Sequence, residues 1–162
     1  MILGFMQKFP WKEPTNFREK ILAGVKNPTW PVYRGNIKVF DPHPNIVIVN
    51  NPKIHTIRED KHNRWKPGRK IEMVYRGPKY SILDHFNKGI PELEKCVSVQ
   101  KIEMRIPKGC LLVNVAIDGR FLGLGEIELL SRNDGFDDIN DFFEWFNKDF
   151  TGKIIHWTNH RY

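Results

Sequence analysis

The chain has 162 residues, 40% hydrophobic and 28% charged, which excludes a disordered polymer and suits one folded domain with a sizeable core. Its formal charge is +7, from 26 basic against 19 acidic residues, which favours polyanionic partners over acidic proteins. No run of eighteen apolar residues occurs, so no membrane span and no membrane partner is expected.

The opening residues, Met1–Pro14, lack a basic start, a sustained apolar run and a small-residue cleavage site. The expectation is a cytoplasmic protein whose two cysteines, Cys96 and Cys110, stay reduced thiols. The first predicted element is a short helix. Asn16 stands as its N-cap, Glu19 completes a capping box, Phe17, Ile21 and Leu22 supply an apolar side, and Gly24 stops it. Two apolar runs follow, Ile37–Phe40 and Ile46–Val49, as a hairpin within an insertion at about 27–51.

Pro52–Ile71 is the stretch richest in chemistry. Lys53, Thr56 and Arg58 expose three different polar functions, and Trp65 with Pro67-Gly68 closes the excursion in a turn. Six Lys or Arg residues fall within the thirteen positions from Arg58 to Lys70. Lys53, His55, Arg58, Lys61, Arg64, Lys66 and Arg69 form a candidate nucleic-acid surface, with Trp65 as a candidate stacking platform or a core residue under the turn. His55 and His62 lack the further ligands that a metal needs, and no HxH, HExxH or CxxC pattern occurs. Neither a metal nor another cofactor is expected.

Lys70–Tyr75 reads as a strand, Ser81–Asn87 as a short helix or an edge strand, and Pro91–Leu93 as a helical turn. Val97–Ile106 is a strand whose apolar phase changes near Gln100, which predicts a bulge or a bend at a barrel corner. Leu111–Ile117 and Phe121–Leu129 flank Asp118-Gly119 as a hairpin, with Gly123 and Gly125 marking a sharp bend in the second strand. Gly135–Asn147 is a helix with Phe136, Ile139, Phe142, Phe143 and Phe146 as a core stripe. Lys153–Thr158 is a closing strand, and His160–Tyr162 is expected to fray. Short strands with many turns and few helices predict a mainly β (α+β) fold, a small partly closed barrel with helices at its openings.

Phe17–Gly24, Lys53–Arg58, Trp65–Gly68 with the strand after it, and Asn133–Phe136 leading into an aromatic helix together resemble the ASCH domain, of the PUA-like superfamily. The resemblance spans most of the chain and implies a β-barrel with a cleft and an RNA-binding role. For a minority of the family it implies an amidohydrolase that deacylates N4-acetylcytidine. Lys53 and Thr56 match the Lys and Thr of that active site, and Asp134 falls where its acidic residue belongs. Two departures stand out: the segment between Gly24 and Lys53 is long, and Asp134 is one methylene shorter than the family's Glu. On these residues the expected function is nucleic-acid binding, RNA foremost. Hydrolysis of an acylated nucleoside and a protein-interaction role stand as alternatives.

Overall fold

The structure is a computed structural model that describes residues 1–11, 13–25, 52–76, 83–107 and 113–162. The insertion at about 27–51, with its two apolar runs, and Cys110 lie outside the described residues.

The chain opens on a strand that the sequence reading lacks, β1 (Ile2–Met6). Ile2-Leu3-Gly4-Phe5-Met6 is apolar almost throughout, so it carries no alternation to read. Packing decides its faces: Leu3 and Phe5 turn inward, and Ile2 and Met6 outward. Helix α1 (Phe17–Ala23) follows and ends at Gly24. Asn16 adopts a left-handed conformation with no side-chain cap, so the predicted capping box does not form.

Beyond Gly24 come β2 (His55–Arg58), β3 (Glu72–Arg76) and β4 (Leu83–His85). The Ser81–Asn87 stretch resolves as an edge strand rather than a helix where it is described. One 3₁₀ turn, Pro91–Leu93, leads to β5 (Ser98–Arg105), then β6 (Asn114–Ile117) and β7 (Arg120–Phe121). Two helices, α2 (Leu124–Asn133) and α3 (Ile139–Trp145), precede β8 (Phe150–His156).

These strands form two sheets. In the smaller, β1 runs parallel to β3, and β4 pairs antiparallel on the other side of β3. The larger is antiparallel in the order β2-β8-β5-β6-β7. One apolar cluster joins them, with Leu3, Phe5 and Met73 from the first sheet and Ile57, Ile102 and Ile154 from the second. Trp157 meets Phe5 edge-on at 6.4 Å within it.

The predicted barrel is therefore replaced by a mixed α/β arrangement of two sheets, with no closed barrel among the described residues. Phe121–Leu129 explains most of the error. Arg120 and Phe121 pair with β6 across the left-handed Asp118-Gly119 turn, and the Leu122 amide, donating to Val115 O at 2.9 Å, ends the ladder. From Leu124 the chain is helical, and Ile127, Leu130 and Ser131 are its buried side. Gly123 is the N-cap whose amide meets the Glu126 carboxylate at 2.9 Å, so it marks a helix start rather than a barrel bend. The bulge expected near Gln100 is also absent. β5 pairs with β8 without interruption, and Gln100 points inward because its amide has partners there. The aromatic stripe does pack into the core, although its helix is shorter than predicted and Phe136 lies before it. No helix among the described residues is long and apolar enough to cross a membrane.

Candidate functional site

Lys53, His55 and Asp134 converge where β2 begins and α2 ends. The backbone fixes this junction from both sides: the Lys53 amide donates to Lys20 O at 3.0 Å and the Ile54 amide to Asn133 O at 3.0 Å. The Lys53 ammonium then reaches Asp134 Oδ1 at 2.7 Å and also donates to the Asp134 carbonyl. Asp134 Oδ1 accepts the Ile57 amide at 3.2 Å and lies 3.6 Å from His55 Nδ1. Gly135, at φ 92°, lets the chain turn beneath the lysine stem. A Cβ there would stand 3.0 Å from Lys53 Cδ and 3.1 Å from the Phe17 ring.

Lys53, His55, Thr56 and Asp134 are all buried, with Lys53 only 1% exposed. Burial lowers the Lys53 pKa to about 8, against the opposing pull of Asp134, and the positive charges of Arg58 and Lys20 push it further down. Burial works to raise Asp134, yet the Lys53 charge and the His55 contact outweigh it and hold the carboxyl below its usual range. The pair is thus an ammonium–carboxylate contact near neutrality, with a proton that leaves Lys53 more readily than an exposed lysine would allow. The ammonium also sits 4.6 Å from the centre of the Phe17 ring. Strand alternation puts Thr56 on the face of β2 shared with Arg58, whose guanidinium donates to Gly4 O at 2.7 Å and lies over Phe5.

The remaining sequence candidates lie elsewhere. Lys61, Arg64, Lys66 and Arg69 are exposed on the loop between β2 and β3, as are His62 and Lys70. Trp65 is only 4% exposed, so no base can stack on it and the alternative role, sealing the core, is the one it takes. His55 and Lys53 are equally closed to a polymer. The candidate residues therefore divide into a buried ionic junction and an exposed basic loop.

Four further participants escaped sequence reading. Lys20 is buried on α1 and donates to Gly135 O and Asp137 Oδ2, each at 2.7 Å. Its place between Phe17 and Ile21 on the apolar side of α1 was the available signal. Tyr162, expected to fray, is docked: its hydroxyl lies 2.7 Å from His55 Nε2 and accepts from Asn133 Nδ2 at 2.9 Å. His156 is wholly buried beside His55, with ring centres 5.3 Å apart. Gln100 holds both the amide and the carbonyl of Tyr162. Nothing local in the sequence marks these last three.

Among the described residues no group of three or more His, Cys, Asp or Glu side chains is arranged to hold a metal ion. Comparison with family models, curated proteins and solved structures finds no match.

Proposed function

We propose that the protein binds nucleic acid, RNA foremost, through phosphate contacts on the loop between β2 and β3. The observation that carries this reading is a loop of exposed cations held in place by its own hydrogen bonds. Asp60 accepts the amides of Arg64 and Trp65 at 2.8 and 3.0 Å, and Lys153 closes on the same carboxylate at 3.2 Å. Trp65 anchors the loop from beneath, Gly68 turns it at φ 80°, and the amides of Gly68 and Cys96 tie it to the chain before β5. Lys70 pairs with Lys95 across a single β-bridge, which adds an exposed cation to the row. A preorganised row of Lys and Arg neutralises phosphates at little ordering cost. Such contacts position a backbone without reading bases. The cytoplasm is the compartment we assign to this activity.

Fluorescence anisotropy with single-stranded RNA across a salt series tests the reading. Changing Arg64, Lys66, Arg69 and Lys70 together to Gln should weaken binding and flatten the dependence of log K on log salt by roughly 3, at about 0.7 per lost phosphate contact. Binding that the quadruple change leaves intact, or none at all at low salt, would sink it.

A second reading, drawn from the ASCH resemblance, is favoured by one observation, the close Lys53–Asp134 contact with its lowered lysine pKa. Neutral Lys53 would take a proton from water, directly or through Thr56, as the water oxygen attacks the acyl carbonyl of N4-acetylcytidine. The C–N bond then breaks, the proton passes to the departing amine, and cytidine and acetate are released. Acetate release should rise with pH toward about 8 and fall at least a hundredfold in Lys53→Gln. Absence of turnover in the folded wild type rejects this reading and leaves the first untouched.

A further inference from the structure

The junction of β2, β8 and β5 carries an unusual concentration of buried polar side chains. His55, His156 and Ser98 stand side by side across the three strands, in direct register. Both ring nitrogens of His156 and the hydroxyl of Ser98 are buried without a hydrogen-bond partner, as is Nε2 of His160 nearby. A buried polar atom left unmatched forfeits its hydration with nothing in return, so folds rarely gather several without a use for them.

The Tyr162 ring packs against the three histidines, at the strand junction that Ser98 shares with His156. It lies 5.5 Å from the His55 ring at 76°, 4.7 Å from His160 at 82°, and 6.2 Å from His156. At the ring's far end, Asn133 Nδ2 donates to the hydroxyl, which in turn meets His55 Nε2. Asn133 Nδ2 is a donor, and His55 Nε2 accepts in the tautomer whose proton sits on Nδ1 toward Asp134, so the two stand side by side at the end of a flat slot. At the mouth, the Gln100 carboxamide holds the tyrosine backbone by its amide at 2.9 Å and its carbonyl at 3.1 Å. No helix or strand includes residues 157–162, so their hold on the slot is these contacts, the 3.7 Å ion pair of Arg161 with Asp118 and the burial of Trp157.

We propose that this slot is a binding site for a nucleobase-like heteroaromatic ring and that Tyr162 is its displaceable occupant. A pyrimidine is close to phenol in size and thickness, and its hydrogen-bonding edge carries an adjacent donor and acceptor. Those atoms match His55 Nε2 and Asn133 Nδ2 as the phenol does, while a ring oxo or amino group has the free His156 nitrogens and the Ser98 hydroxyl to meet. Tyr162 gives the His156 nitrogens a ring contact but no hydrogen bond, which is the difference a ligand would exploit. The inference stands on the slot's own geometry and not on the basic loop.

Free nucleosides, which carry no phosphate, separate it from loop binding. Adenosine, cytidine, guanosine and uridine are titrated by calorimetry into the wild type, Tyr162→Ala, and Tyr162→Ala with His156→Phe. Removal of the internal competitor should tighten binding of at least one nucleoside by roughly tenfold or more. The added His156→Phe change should reverse that gain. A folded Tyr162→Ala protein that binds none of the four, or binds no better than the wild type, overturns the proposal. So does a gain that survives His156→Phe. Should Tyr162→Ala fail to fold, the imidazole ¹⁵N resonances of the wild type are followed during titration. Shifts at both His55 and His156 support the slot, and unmoved resonances at millimolar nucleoside overturn it.

Discussion

A buried lysine is an expensive choice, and Lys53 shows how a single residue sets the terms for its surroundings. Its ammonium is tolerable only because Asp134 meets it at 2.7 Å and Phe17 presents a ring face. Lys53→Met should therefore destabilise the fold by about 3–5 kcal/mol, since it strands a buried carboxylate. The double change Lys53→Met with Asp134→Leu should recover most of that loss, as urea denaturation of the three variants would reveal. A double mutant no more stable than Lys53→Met alone would mean that the ion pair is not what the single change breaks. The ASCH resemblance grouped Lys53, Thr56 and Asp134, and the structure brings Lys53 and Asp134 into contact although they stand 81 positions apart. Their burial was not legible, because motif residues look alike whether a neighbouring element covers them or not. Trp65 illustrates the same limit: its indole fits either a core or a stacking surface, and only the packing around it chooses.

At the level of elements, the β2–β3 loop behaves as a preformed platform because Asp60 organises it. Its carboxylate is held below the usual range: burial works to raise it, but the Trp65 and Arg64 amides and Lys153 prevail. Asp60→Ala should leave the sheets in place yet speed amide hydrogen exchange across residues 61–69, and weaken the RNA binding we propose for this loop. Unchanged exchange there would show that Trp65 alone holds the loop. Helix α2 teaches a different lesson about elements. Leu122-Gly-Leu-Gly imitates a strand by alternation, whereas Gly123 with Glu126 three residues on is a helix start, and Ile127, Leu130 and Ser131 follow helical spacing. The cue was local and present, but the strong Asp118-Gly119 turn drew the strand reading too far along the chain. β1 offered no comparable cue, since a short apolar run has no period of its own.

Across the whole molecule the buried histidines tie stability to pH. Burial first, then the charges of His55, His160 and Arg161, depress His156 to about 3, and burial likewise lowers His55. Both are neutral in the fold at pH values where the unfolded chain already takes up protons. The stability they confer is complete above the unfolded value of about 6.5 and declines as pH falls toward the folded value. Each such histidine contributes a slope of up to about 1.4 kcal/mol per pH unit within that window. Thermal melting should therefore drop between pH 6.5 and 4.5, and more shallowly in His156→Phe. A melting temperature that is flat over this range, or equally steep in the variant, would exclude His156 as the cause.

Composition, charge, the positions of most strands, the hairpin turn, the aromatic core helix and the clustering of cations between β2 and β3 were determined by the sequence itself. Each rests on neighbours within a few residues: alternation, turn dihedrals, capping pairs and local charge density. What only the tertiary structure decided is how those pieces close. Two sheets replace a barrel because residues 124–133 spend their hydrogen bonds within a helix instead of on a neighbouring strand. Lys53 became a buried partner of Asp134, and Tyr162 an occupant of the histidine slot, through contacts between distant segments. Such contacts depend on which surfaces meet in space, and no local pattern of residue types encodes that meeting.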